Sequence, residues 1–100
     1  RETSDHANLA YLLEARAVLE AQQGANARVP LLLGAAQAIR EQLGSFGYGY
    51  YRPDPAATAL AVEQARAHLG TDRYDDALDV GRGLDPDRAA GLSLGEPIPA

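Results

Sequence analysis

Apolar positions recur at helical spacing along most of the chain, and capping residues punctuate them. Leu9, Leu12, Leu13, Ala17 and Leu19 follow the N-cap candidates Ser4 and Asp5 and run to Gln23 and Gly24, which predicts a first helix. A second is predicted to start near Asn26 to Pro30, with Val29, Leu32, Leu33, Ala36, Ile39 and Leu43 on one face and Gly44 just past its end. Pro30 then belongs in the first turn, where a missing N–H costs least. The short break between the two helices implies an antiparallel hairpin. "DPAATALAVEQARAHLG" reads as a third helix, with Asp54 as N-cap, Pro55 at the first helical position and Gly70 beyond the end. A fourth begins at Thr71 or Asp72 and puts Tyr74, Ala77, Leu78 and Gly81 on one face, with Gly83 after it. Asp85-Pro86 repeats the start signal for a short C-terminal helix that Gly91 weakens, and "EPIPA" reads as a frayed tail. No stretch shows the sustained alternation of a β-strand.

The pattern therefore predicts one all-α domain of two antiparallel hairpins, 5–44 and 54–83, with four main helices. An aromatic linker, 45–53, joins them, and a short helix and tail occupy 84–100. The linker holds Phe46, Tyr48, Tyr50 and Tyr51, four of the chain's six aromatic residues. Two roles fit it. Gly47 and Gly49 let the backbone turn while the rings fold over the core, with Tyr50 or Tyr51 buried. Alternatively Tyr48, Tyr50, Tyr51 and Arg52 line a pocket for a planar or anionic small molecule.

Composition bears on the core. Ala accounts for 20 residues, as many as Leu, Ile and Val together, so the helices are expected to approach closely over Ala and Gly and to form a thin core of modest stability. There is no Cys, which removes disulfides and thiolate metal sites and fits a reducing, cytoplasmic setting. No apolar run approaches the ~20 residues that span a bilayer, so a soluble protein with no membrane partner is expected. Arg1 stands where a Met would begin a chain, which suggests a piece of a longer protein or a processed product. Net charge is −5, and residues 72–100 carry three Arg against seven acids. Without a basic stripe, direct nucleic-acid binding is not expected.

The candidate reaction motifs are weak. "GLSLG", Gly91 to Gly95, matches a nucleophile elbow, but no strand pattern precedes Ser93 and no acid–His pair follows it. Asp85, Asp87, Ser93 and Glu96 fall on calcium-loop positions, but Ala89 and Ala90 occupy the places of a ligand and the turn glycine, so helix capping by Asp85 is the better reading. His68 with Asp72, Asp75 and Asp76 is read as a helix end meeting an acidic helix start, not as a metal cluster. A phosphate loop needs a Lys the chain lacks, and "GYGYYR" has no third dinucleotide-binding glycine. No catalytic residue, cofactor or metal is expected.

"ARVPLLLGAAQAIREQLG", Ala27 to Gly44, followed by "VEQARAHLGTDRYDDALDVGRGL", Val62 to Leu84, resembles the tetratricopeptide-like helical region near the C-terminus of large actinobacterial ATP-binding regulators. These include LuxR-type transcriptional regulators and related ATPases fused to cyclase domains. Leu32, Leu33, Gly34, Ala35, Ala36, Arg40, Leu43 and Gly44, then Arg66, Leu69, Gly70, Tyr74, Ala77 and Gly81, fall on the family's pattern. The resemblance implies a repeat-like helical fold, a cytoplasmic location, and a regulatory role in signal transduction. It supplies packing positions and no catalytic residue. This chain departs from the family in having no phosphate loop, no helix-turn-helix and an unusual Tyr-rich linker. Solenoid units bury their faces on neighbours, so an exposed Leu31 and the face Ala56 to Ala61 are expected to contact adjacent domains, a protein partner or a second copy in a homodimer.

Overall fold

The computed structural model describes residues 2–43 and 55–93, and within them five helices and no strand. They are α1 (Glu2–Gln22), α2 (Arg28–Leu43), α3 (Pro55–Leu69), α4 (Thr71–Arg82) and α5 (Pro86–Ser93). The all-α expectation holds, and three helix starts follow the signals in the sequence. Pro30 lies in the first turn of α2, and Pro55 opens α3. Asp85 caps α5, accepting from the Arg88 backbone N–H on its side-chain Oδ1 at 2.9 Å. The α1 start differs, because Ser4 and Asp5 lie inside the helix. Nothing between Glu2 and Asp5 breaks a helix, and an acid in the first turn complements its dipole.

Helix α1 ends in a Schellman motif. Gly24 has φ +82°, its N–H bonds the Ala21 carbonyl at 3.1 Å, and the Ala25 N–H reaches back to the Glu20 carbonyl at 2.8 Å. A positive φ suits glycine, which has no Cβ to clash, and the resulting tight turn sets α2 antiparallel to α1.

Helix α2 is the centre of the fold, with α1 on one side and α4 on the other. The predicted single stripe on α2 is therefore too narrow. Val29, Leu32, Leu33, Ala36 and Ile39 are buried as expected, but Leu31, Gly34 and Ala35 are buried too. Leu31 was expected to be exposed, and only 6% of it is. The reason is the α2–α4 crossing. A Cβ on Gly81 would collide with the Leu31 carbonyl oxygen and stand 3.0 Å from Leu31 Cα, while a Cβ on Gly34 would collide with the Leu78 carbonyl oxygen and stand 3.0 Å from the Arg82 backbone nitrogen. The two backbones touch through their glycines, which brings the helices close enough to cover Leu31.

On α1 the inward face consists of Ala10, Leu13, Ala17 and Ala21. The larger Leu12 and Leu19, expected inside, point outward. Small residues permit a close α1–α2 approach that a row of leucines would prevent. Leu92 and Ala89 of α5 complete the core with almost no exposure. The short helix is thus an anchored element, and complete burial of a Leu contributes roughly 1.5–3 kcal/mol.

The α3–α4 junction is a single residue, Gly70, at φ +87° and ψ 154°. Among the described residues α4 packs chiefly on α2, and α3 chiefly on α1, with a smaller contact between α3 and α4. A tetratricopeptide-like pairing of α3 with α4 is not established by this arrangement.

Candidate functional site

Buried charge concentrates along α1. Glu14 accepts from Arg40 Nε at 2.8 Å and from Arg40 Nη2 at 2.7 Å, and both side chains are about nine-tenths buried. Two parallel charge-assisted bonds fix the α1–α2 register and offset the cost of desolvating both ions. Two turns further on, the buried Glu20 carboxylate is shared: Arg28 Nε donates to it from α2, and Arg16 Nη2 lies 3.6 Å away on its own helix. Gln64 of α3 closes the same end, donating to the Ala21 carbonyl at 2.6 Å and to Asn26 Oδ1 at 3.0 Å.

The α3–α4 corner is held by Tyr74, which is almost fully buried. The Arg66 guanidinium sits 4.4 Å from its ring centroid and also bonds Asp75 at 3.2 Å. Burial pushes the Tyr74 phenol above its ordinary value, partly offset by the Arg66 charge. Tyr74, which the sequence places on the inner face of α4, is buried there. Leu69 is half-buried against the core.

The surface is less uniform than the core. Tyr11, Leu12 and Leu19 of α1 are exposed, as is 65% of Leu60 on α3. Leu12, Ala15 and Leu19 share an outward face of α1, and Val18 leads from it to a shallow groove of about 60 Å³. The groove is lined by Val18, Ala21 and Gln22 on one side and by Ala57, Leu60, Ala61 and Gln64 on the other. Of the "AATALA" segment, Ala56, Ala59 and Leu60 are exposed but Ala61 is buried in the core, so the face expected to be outward from Ala56 to Ala61 is outward only in part, and Leu31 is not outward at all.

His68, read in the sequence beside Asp72, Asp75 and Asp76, instead lines a cleft with Arg28 and Arg73. Among the described residues no group of three His, Asp or Glu side chains converges on one point as a metal site would require. Gly91 and Ser93 of the elbow-like motif lie in helix α5. Tyr48, Tyr50, Tyr51 and Arg52, the candidate pocket residues of the linker, lie outside the described residues, as do Gly44 and the Leu43 side chain.

Sequence reasoning missed the Glu14–Arg40 and Glu20–Arg28 pairs. The available signal was position: Glu14 and Glu20 lie on the same side of α1 as Ala10, Leu13, Ala17 and Ala21, and two α2 arginines face them. Compared with models of known protein families, with curated proteins and with solved structures, the chain matches none.

Proposed function

We propose that this domain is a non-catalytic helical interaction module of a cytoplasmic, signal-responsive transcriptional regulator of the ATP-binding LuxR type, where it holds a neighbouring domain or a protein partner. The observation that carries the interaction role is the exposure of the large apolar side chains Leu12 and Leu19 on α1 and Leu60 on α3. The chain has few large apolar residues and leaves several of them outside while filling its interior with alanine. Large apolar side chains left at the surface favour protein contact, because covering them releases hydration water. The regulatory setting rests on the sequence resemblance. No helix among the described residues is long and apolar enough to cross a membrane, so these side chains are not part of a transmembrane span.

The test is to titrate the chain against the segments adjoining it in its parent protein and against itself. Saturable binding is expected, weakened at least tenfold by Leu60→Glu with no loss of thermal stability, since a side chain this exposed contributes little to folding. A chain that stays monomeric and binds no other segment overturns the reading.

A further inference from the structure

Two arginines and a histidine line one cleft of this acidic protein. The cleft has a volume of about 320 Å³ and is lined by the α1–α2 turn from Gly24 to Arg28, by His68 and Leu69 at the end of α3, and by Arg73 on α4. No acidic side chain lines it. From this geometry we propose that the cleft binds the phosphate group of a small phosphorylated metabolite, with Arg28 and Arg73 as its charged contacts and His68 as a further donor.

The local charge count supports this. Glu20, the carboxylate that pairs with Arg28, is shared with Arg16, so the trio keeps one net positive charge. Arg28 is held in place by Glu20 and by a 3.4 Å contact from its Nη2 to the Leu92 carbonyl, which leaves Nη1 for another acceptor. Arg73 and His68 are exposed and make no ion pair or side-chain hydrogen bond among the described residues. The cleft also opens beside the start of α2, which carries no acidic residue in its first turn, so the positive end of its dipole is not neutralised locally. A guanidinium matches a phosphate in both charge and planar donor geometry, and two of them on separate helices hold it from two directions. The volume exceeds what a bare phosphate fills and falls at the lower end of small-molecule sites, which is why the ligand is assigned as an ester rather than the free ion.

The test is a backbone-amide NMR titration of the full chain with inorganic phosphate and with glucose 6-phosphate, at ionic strength held constant with sodium chloride. Saturable shifts are expected in Gly24 to Arg28 and Leu69 to Arg73, with the ester binding tighter than the ion. Arg73→Ala, an exposed position whose loss leaves the core intact, is expected to weaken binding about tenfold or more. Shifts that do not saturate, that chloride alone reproduces, that are no stronger for the ester, or that survive Arg73→Ala overturn the proposal. The readout is separate from the exposed leucines, because Leu60→Glu is expected to leave phosphate binding unchanged.

Discussion

The two faces of α2 solve the same packing problem by opposite means. Toward α4 the central contact is made by absence: Gly34 and Gly81 remove their side chains and let two backbones meet. Toward α1 it combines small apolar residues with a buried ion pair, Glu14 with Arg40. The glycine seam selects its partner by shape, since any added atom meets a backbone that cannot swing aside. The ion pair selects by charge and register, because an axial slip of one helix leaves two desolvated ions without partners. A thin, alanine-rich core offers few interlocking side chains, and these two devices supply the specificity that large residues give elsewhere.

The largest effect is expected where charge is trapped. Arg40→Ala leaves the Glu14 carboxylate buried without its bidentate donor and is expected to destabilise the chain by about 3–5 kcal/mol. That is a large share of the roughly 5–15 kcal/mol available to a domain, so the variant is expected to be partly unfolded in a thermal melt at neutral pH. The double variant Glu14→Leu with Arg40→Met removes both charges and is expected to regain most of the loss. If it melts no higher than Arg40→Ala, the pair's importance lies in packing volume, and the contrast between the two faces collapses.

The seam comes next. Gly81→Ala drives a methyl into the Leu31 carbonyl, and relief requires α2 and α4 to separate; a loss of about 1–3 kcal/mol is expected, the usual range for overpacking. Gly83, two residues on, is the internal control. A Cβ there would stand 3.6 Å from the nearest atom in ordinary contact, at a negative φ, so Gly83→Ala is expected to change stability by no more than about 0.5 kcal/mol. Equal melting points for the two variants would show that α4 shifts freely and that no seam exists.

The seam was legible in the sequence and the ion pair was not, for a physical reason. Gly34, Ala35 and Ala36 inside an apolar helix signal close approach, because glycine there is otherwise a cost. Glu14 and Arg40 carry no such mark, since charged residues on amphipathic helices usually face water and only the register between α1 and α2 turns these two inward. On α1 the helical period is right, but Leu12 and Leu19 outweigh Ala10 and Ala21 as predictors of the inner face. The structure puts alanine at most inner positions of α1, where the close approach to α2 accommodates one large side chain, Leu13. Helix starts at Pro55 and Asp85-Pro86 were readable because capping is local chemistry. The cationic cleft was not, because Arg28 and His68 stand 40 positions apart in the chain and only the three-dimensional packing brings them together.

The smallest effect is expected at the outer edge of the α2–α4 face. Arg82 of α4 clasps Glu41 of α2 through bonds of 2.5 and 3.1 Å and also reaches Gln37 at 3.2 Å. The hydrogen bonds from Arg82 hold the Glu41 carboxyl below its ordinary value of 4.5, and Glu41 in turn raises the Arg82 guanidinium. A carboxyl lowered on folding contributes stability at pH above its unfolded value, and the contribution fades as the pH falls through 4.5 toward the lowered one. Arg82 is raised above its ordinary value, mainly by its hydrogen bond to Glu41, so it stays charged throughout that acid window. Both groups are bathed in solvent, where salt screens them and the net contribution of such a pair is small. Glu41→Gln is therefore expected to melt only slightly below the parent at neutral pH and low salt. The two curves should converge as the pH falls below 4.5 or as salt is added. A gap that persists in acid would place the effect in packing at the end of α2 rather than in charge, and would extend the shape-selected seam out to the helix ends.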